Sequence, residues 1–185
     1  MRPYQEFIKE ILIDEPSLRN RIRELADEIN RDYAGEPLLL ICILRGALPF
    51  LVDLMMELEI PNAIDCMAVS SYGVGAREST GNIRMTMDLQ TNIADKHVLL
   101  VEDIVDSGKT IASVLELLQT RKPKTLKVCA LLDKASRREV PVPIAYTGFV
   151  IENKFVFGYG LDIDEYYRNL PFIGVVDLDK YFPSE

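Results

Sequence analysis

The stretch of sequence that decides the fold reads His97-Val-Leu-Leu-Val-Glu102-Asp103-Ile-Val-Asp106-Ser-Gly-Lys-Thr110. Its first half has the apolar character of a buried strand, and the adjacent carboxylates Glu102 and Asp103 follow directly. A third carboxylate, Asp106, precedes a Ser-Gly-Lys-Thr turn, after which a helical pattern begins. Parallel α/β sheets bind ligands outside the carboxyl ends of their strands, and helix N-termini bind anions. The stretch therefore predicts a site for a phosphorylated sugar.

The same turn could be read as the P-loop of a nucleoside triphosphatase, but its spacing argues against this. A P-loop has a glycine five residues before its second glycine, and at that distance from Gly108 this chain has Asp103. Glu102 and Asp103 would repel a triphosphate, and the turn is short enough to wrap only one phosphate. An ordinary capped turn accounts for Asp106 or Ser107, but not for two carboxylates after a buried strand.

The turn offers several donors to a single phosphate group. They are the backbone N–H groups of residues 107–110 and the hydroxyls of Ser107 and Thr110. Glu102 and Asp103 suit ribose hydroxyls or a hydrated Mg²⁺, which takes oxygen ligands. The predicted ribose-phosphate site therefore consists of Glu102, Asp103, Asp106, Ser107, Gly108, Lys109 and Thr110.

Composition predicts one globular domain spanning residues 1–185, because the chain has 185 residues of which 48% are hydrophobic. The formal net charge of −8 argues against non-specific nucleic-acid binding, which needs a basic face, but leaves room for a local cationic pocket. The sequence shows neither a signal-peptide pattern nor an apolar run near the roughly 20 residues of a membrane span. We therefore expect neither a nucleic acid nor a membrane as partner.

The cysteines Cys42, Cys66 and Cys129 are widely spaced, and each lies in or beside an apolar run. This pattern favours buried reduced thiols over disulfides or a metal site. A reducing compartment, most simply the cytoplasm, is the corresponding expectation. The only histidine, His97, begins a predicted strand, and a surface position is favoured over a catalytic role.

Apolar periodicity predicts strands that alternate with helices. Helices are predicted between Pro16 and Gly35, at 47–58 and at 111–120. Buried strands are predicted at 38–44, 65–71, 98–101 and 125–132, an exposed strand at 83–89, short β segments at 145–151 and 173–176, and a polar loop at 72–82. The alternation predicts an α/β fold with a mainly parallel sheet and right-handed crossovers.

Several polar segments follow predicted strands and should meet at one edge of the sheet. These segments are Leu44-Arg45-Gly46, Ser70-Ser71-Tyr72-Gly73, Glu102-Asp103 and Asp133-Lys134. Because their convergence follows from the topology, it is stronger support for a ligand site than any one motif.

The acidic strand end and its phosphate turn resemble the phosphoribosyl-pyrophosphate motif of type I phosphoribosyltransferases. Lys134 and the segment from Phe155 to Arg168, with Gly-Tyr-Gly-Leu-Asp and Arg-Asn-Leu-Pro, resemble the hypoxanthine (hypoxanthine-guanine) branch, and bacterial members most. The resemblance covers residues 38–176. It implies a mainly parallel twisted sheet flanked by helices, with a core at about residues 35–150 and a small hood from the N- and C-terminal segments.

The resemblance also implies roles around the purine. Asp106 becomes the general base that accepts a proton from the purine, a role compatible with helix capping. Lys134, which has only donors, binds the exocyclic oxygen of a 6-oxopurine, although an isolated lysine would be read as solvated. Phe155 stacks on the purine and the backbone of Val156 reads its edge, although without the resemblance Phe155 would be read as core. Asp162 is the last of the implied purine-binding residues, and it also supports Mg²⁺ through water.

For the leaving group, the resemblance implies that Arg45, Gly46 and Arg168 bind pyrophosphate, since a guanidinium binds such anions with paired bonds. It also implies a cis peptide between Leu44 and Arg45. A lid that excludes water from the reacting centre is expected to include Ser70, Ser71, Tyr72 and Gly73. The expected metal residues are Glu102, Asp103 and Asp162.

Together these residues predict a purine salvage enzyme that uses Mg²⁺. It would convert hypoxanthine, and guanine as a second acceptor, with phosphoribosyl pyrophosphate to IMP or GMP and pyrophosphate. Xanthine or another base, or a non-catalytic regulator on the same fold, are the alternatives, and the acidic balance speaks against a nucleic-acid-binding regulator. Relatives form dimers or tetramers, so the resemblance implies a homodimer or homotetramer.

Overall fold

The computed structural model describes residues 2–71 and 83–182. Its strands are β1 (Ile8–Ile13), β2 (Leu38–Ile43), β3 (Asn62–Ser71), β4 (Ile83–Met87), β5 (His97–Val105), β6 (Thr125–Asp133), β7 (Ile144–Val150), β8 (Val156–Phe157) and β9 (Ile173–Val176). Its α-helices are α1 (Glu15–Asp32), α2 (Leu48–Glu57), α3 (Lys109–Gln119) and α4 (Leu178–Tyr181). The expected alternation of strands and helices is confirmed.

Within these described residues the main sheet has six strands in the order β4-β3-β2-β5-β6-β7. Neighbouring strands are parallel except β4, which runs antiparallel to β3 at one edge. Helices α1 and α2 pack in the core on one face of the sheet, and α3 packs in the core on the other. Covering both faces explains why β2 is buried at every position and reads as a continuous apolar run.

The first 32 residues divide between two parts of the molecule. Strand β1 joins β9 and β8 in a separate antiparallel sheet, which corresponds to the expected hood. Phe7, Phe157, Ile163 and Val176 form the core of that hood. Helix α1 begins after Asp14, whose carboxylate accepts a bond from Ser17 N, and packs on the main sheet. Helix α1 thus packs with the main sheet, although it precedes residue 35, near which the resemblance places the start of the core.

Strand β5 continues through the two carboxylates instead of ending at residue 101. Its pairing with β6 extends to Val105, which lies opposite Asp133. Backbone pairing with a neighbouring strand carries β5 past its apolar run, so the prediction that Glu102 and Asp103 follow the strand was wrong. Strands β1 and β8 are short or mixed in character, and the apolar pattern does not predict them.

The three cysteines are free thiols, as expected; Cys42 and Cys129 are buried and Cys66 is half-buried. The Cys42 and Cys66 sulfurs lie 3.5 Å apart on neighbouring strands. His97 is not a surface residue, because its side chain is only 13% exposed. It lies at the start of β5, away from the phosphate turn, and contacts Thr125 Oγ1 through Nδ1 at 2.8 Å. No helix in the described residues is long and apolar enough to cross a membrane.

Candidate active site

The phosphate turn joins the end of β5 to the start of α3. Gly108 caps α3 with φ of 85°, and a Cβ atom there would lie 2.4 Å from Val140 O. Ser107 O accepts bonds from Glu139 N and Val140 N, which hold the turn against the loop between β6 and β7. A cavity of about 290 Å³ opens at this turn, lined by residues that include Glu102, Asp106, Ser107, Lys109, Thr110, Arg137 and Glu139. The predicted phosphate-binding residues are thus brought together around one cavity.

Glu102 and Asp103 serve different parts of the site, because successive residues of a strand point to opposite faces. Glu102 lines the cavity at the phosphate turn. Asp103 lies on the α2 side, where its Oδ2 would be 1.7 Å from a Cβ atom placed on Gly46. Only glycine fits beside this carboxylate, so Gly46 and Asp103 depend on each other.

Neither carboxylate is neutralised by a close cation in the described structure. Glu102 is 9% exposed, and its Oε2 has no hydrogen-bond partner among the described residues. Burial raises the pKa of Glu102 well above its ordinary value, and Asp103 adds to the rise. Burial raises the pKa of Asp103 to about 6, against the lowering effect of Ile104 N–H. The unpartnered oxygen of Glu102 at this cavity suits an incoming cation or sugar hydroxyls.

Asp106 and Lys134 meet directly, as their predicted roles on the purine require. Lys134 is only 7% exposed, and its Nζ lies 3.3 Å from Asp106 Oδ2. The other oxygen of Asp106 accepts a bond from Arg137 Nε at 3.2 Å. Arg137 was missed by sequence reasoning, although its closeness to Lys134 in the chain was a usable signal. Two charge-assisted bonds therefore fix the position of the Asp106 carboxylate.

Phe155 and Val156 lie at the edge of the hood. The side chain of Phe155 is 48% exposed, as a stacking surface needs to be. Val176 N donates to Phe155 O, so Val156 stands opposite Val175 at a position without direct cross-strand bonds. The N–H and C=O of Val156 consequently point away from β9. A flat ligand edge could bind to these two groups.

The predicted pyrophosphate residues also converge. Arg45 follows β2, and the peptide between Leu44 and Arg45 is cis, as expected. Arg168 Nη1 donates to Gly160 O at 2.8 Å. A Cβ atom on Gly160 would lie 2.0 Å from Gly46 O, so the segment that carries Arg168 packs directly on the loop after β2.

Asp162 contacts one of these two arginines directly. Its Oδ1 is 2.8 Å from Arg168 Nη2, and its Oδ2 accepts a bond from Glu165 N at 2.8 Å. Its charge also raises the pKa of Asp103. Glu165 itself, which bonds both Arg45 and Arg168, was missed because a single glutamate in a loop gives no periodic signal.

The residues expected in the lid are only partly described. Ser70 and Ser71 belong to β3 and pair with Arg84 and Ile83, so they are strand residues and not part of a loop. Tyr72 and Gly73 lie outside the described residues.

A magnesium ion fits the carboxylates but would need further ligands. No group of three or more His, Cys, Asp or Glu side chains in the described part of the chain is arranged to hold a metal ion alone. Mg²⁺ commonly binds through one or two carboxylates together with water and substrate phosphates. Asp103 and Glu102, neither of which forms an ion pair among the described residues, are separate candidates for such a carboxylate.

Comparison with known proteins shows the family to which the chain belongs. Residues 9–164 match the family model of the phosphoribosyl transferase domain. The hypoxanthine phosphoribosyltransferase of Salmonella typhimurium is 45% identical over 92% of this chain and 97% of that protein. The hypoxanthine-guanine phosphoribosyltransferase of Staphylococcus aureus is 42% identical over 94% of this chain and 97% of that protein. A crystal structure of a hypoxanthine phosphoribosyltransferase from Staphylococcus aureus matches with a TM-score of 0.91 and 42% identity over 96% of each chain. The chain therefore belongs to the hypoxanthine (hypoxanthine-guanine) phosphoribosyltransferase family and has the type I phosphoribosyltransferase fold.

Proposed function

We propose that this protein transfers the phosphoribosyl group of phosphoribosyl pyrophosphate to a ring nitrogen of hypoxanthine or guanine, forming IMP or GMP and pyrophosphate. The observation that carries the proposal is the contact between Asp106 and the buried Lys134 beside the phosphate turn. A proton acceptor, a donor for a purine oxygen and a phosphate site are thereby joined in one place. Family membership supports the same reaction.

The donor substrate would lie along the carboxyl end of β5. The 5′-phosphate would bind the N–H groups and hydroxyls of the turn from Ser107 to Thr110, where the α3 dipole also favours an anion. Glu102, which lines this cavity, would accept bonds from ribose hydroxyls. Lys109 lies 2.5 Å from Glu139 and so has a protein partner in addition to any phosphate.

The purine would lie between Lys134 and the hood. Lys134 has donors beyond the one that faces Asp106, so it can bond a purine carbonyl while it keeps that contact. An amino group at the same purine position would meet a donor instead of an acceptor, which costs about 1–3 kcal/mol when buried. Phe155 would stack on the ring and Val156 would bond its edge.

Asp106 would accept the proton of the purine nitrogen as that nitrogen attacks the sugar. Its two bonds, to Lys134 and Arg137, hold the carboxylate in position. On the other side of the sugar, Arg45, Gly46 and Arg168 would bind the departing pyrophosphate.

Magnesium held by Asp103, with Asp162 acting through water, would neutralise charge on the leaving group, while Glu102, on the opposite face of β5, would serve the ribose. The raised pKa of Asp103 supports this assignment, since its charged form gains from a nearby cation.

We also propose that the chain acts as one domain and associates as a homodimer or homotetramer. Helix α2 exposes Leu48, Val52 and Met56 to solvent at 43%, 41% and 75%, and four-residue spacing places them in a single row. An exposed apolar row of this kind suits a contact between subunits. A reducing compartment such as the cytoplasm agrees with unbonded thiols at Cys42 and Cys66, only 3.5 Å apart.

One assay tests the reaction. Nucleotide formation should be measured with phosphoribosyl pyrophosphate, Mg²⁺ and each of hypoxanthine, guanine, xanthine and adenine in turn. Turnover with hypoxanthine or guanine and little with adenine is expected. Turnover with xanthine alone would identify xanthine as the acceptor in place of hypoxanthine and guanine. If no purine is turned over, the protein is a non-catalytic member of the family.

A further inference from the structure

Glu165 lies between the two cations assigned to the leaving group. Its Oε2 is 2.9 Å from Arg45 Nη1 and 3.1 Å from Arg168 Nη2. A single carboxylate oxygen therefore bridges two guanidinium groups that come from distant segments of the chain. We infer that Glu165 is an internal counter-anion that occupies the place of pyrophosphate and limits how tightly that leaving group binds. The inference rests on the proposed role of Arg45 and Arg168 in pyrophosphate binding.

The chemistry of the contact matches that of a phosphate. Guanidinium groups bind carboxylate and phosphate oxygens through the same N–H donors. An oxygen of pyrophosphate that bridged Arg45 Nη1 and Arg168 Nη2 would take the donors that Glu165 now uses. The carboxylate and the pyrophosphate consequently compete, and one must leave before the other binds fully.

The exposure of the three side chains makes such an exchange easy. The side chains of Arg45 and Glu165 are 70% and 60% exposed, and that of Arg168 is 26% exposed. Exposed ion pairs are weak because water solvates the separated charges well. Arg168 keeps its contacts with Gly160 O and Asp162 when Glu165 departs. The glutamate can therefore turn into solvent while Arg168 stays in position.

The backbone around Glu165 is itself unusual. Asp164, Glu165 and Tyr167 have φ of 52°, 73° and 69°, in the left-handed region that residues with a Cβ rarely adopt. The strained turn is held by the bond from Glu165 N to Asp162 and by the bond from Tyr181 Oη to Asp164. Strained residues persist where the surrounding structure requires them, often at functional sites. Here the strain places a negative charge beside two ligand-binding cations.

The test compares three variants with the wild type. Glu165→Gln removes the charge and keeps the shape, Glu165→Asp keeps the charge, and Glu152→Gln removes a glutamate that is 84% exposed and pairs only loosely with Lys154 at 3.8 Å. Calorimetry should measure the Kd for pyrophosphate with Mg²⁺ at low and moderate salt. Steady-state kinetics should give KM for phosphoribosyl pyrophosphate and for hypoxanthine, and thermal unfolding should confirm folding.

The expected result is a selective gain in anion binding. Glu165→Gln should bind pyrophosphate roughly threefold to tenfold more tightly at low salt, with a similar fall in KM for phosphoribosyl pyrophosphate and an unchanged KM for hypoxanthine. Glu165→Asp should resemble the wild type more than Glu165→Gln does, and Glu152→Gln should match the wild type. A merely structural glutamate would not move one KM and leave the other.

Two outcomes would overturn the inference, and they are separable from failure of the reaction. If the wild type binds pyrophosphate and turns over, but Glu165→Gln binds pyrophosphate equally or more weakly, then Glu165 orients the arginines and does not compete with the ligand. If the wild type neither binds pyrophosphate nor forms nucleotide, the proposed reaction fails and the inference fails with it.

Discussion

At the scale of single residues, the buried carboxylates of β5 lower the stability of the ligand-free protein when they are charged. Asp103 has a folded-state pKa of about 6, above its ordinary value of 3.8, because burial penalises its charge. Between these values the folded state binds more protons than the unfolded state, so this group contributes stability at low pH that is lost as pH rises toward and beyond 6. The magnesium site proposed above would need that charge.

Asp103→Asn should therefore stabilise the ligand-free protein while weakening its substrate binding. We expect the free energy of unfolding to rise by about 1–3 kcal/mol at pH 7.5, with a much smaller gain near pH 4, where the wild-type carboxyl is already protonated. Urea unfolding at both pH values measures the difference, and calorimetry with Mg²⁺ and phosphoribosyl pyrophosphate measures the loss of affinity. A stability gain of the same size at both pH values would contradict this explanation.

Asp106 differs from Asp103, because its position between Lys134 and Arg137 suits proton transfer from the purine more than binding of phosphoribosyl pyrophosphate. The side chain of Asp106 does not cap α3, whose N-cap is Gly108 without a side-chain bond. Asp106→Asn keeps the size of the side chain but cannot accept the proton. We expect kcat to fall by about 10²- to 10⁴-fold, with the Kd for phosphoribosyl pyrophosphate nearly unchanged. Single-turnover kinetics and direct binding separate the two quantities, and an unchanged kcat would remove Asp106 as the general base.

At the scale of elements, the junction of β5 and α3 depends on close packing as well as on backbone conformation. Gly108 has φ of 85° and would bring a Cβ atom to 2.4 Å from Val140 O. Gly35 has nearly the same φ, 80°, but a Cβ atom added there would have nothing within 4 Å. Substitutions at these two glycines therefore separate the loss of stability caused by backbone strain from the loss caused by a steric clash.

Gly35→Ala should cost only the backbone strain, about 1–2 kcal/mol in the free energy of unfolding. Gly108→Ala should cost more and should also weaken phosphate binding, because the loop at Val140 must move. Thermal unfolding of both variants, with calorimetric titration of ribose 5-phosphate, makes the comparison. Equal losses of stability with intact phosphate binding would show that the turn tolerates the displacement.

At the scale of the whole molecule, the apolar row on α2 bears on assembly. Met56 is 75% exposed at the end of this row, so a charge there should disturb a subunit contact without entering the core. Met56→Glu should shift the protein toward monomer in sedimentation experiments, whereas Leu178→Glu, on α4, should not. If the wild type is already monomeric, or if Met56→Glu leaves the assembly intact, the row is not the interface.

Much of the site could be anticipated from local sequence, because its signals are short and periodic. The phosphate turn with its acidic neighbours, the buried β2 and the helices α1 to α3 depend on residues close together in the chain. The convergence of Asp133-Lys134 with the carboxylates of β5 also followed, since parallel strands end at the same edge of a sheet.

By itself the sequence determined the alternation of strands and helices and the chemical character of each strand end, because apolar periodicity and turn residues act locally. Only the tertiary structure decided that β5 runs on through Glu102 and Asp103 and so turns them to opposite faces. It alone placed Arg137 on Asp106 and Glu165 between Arg45 and Arg168. These features arise from pairing and packing between distant segments, which leave no periodic trace in the chain.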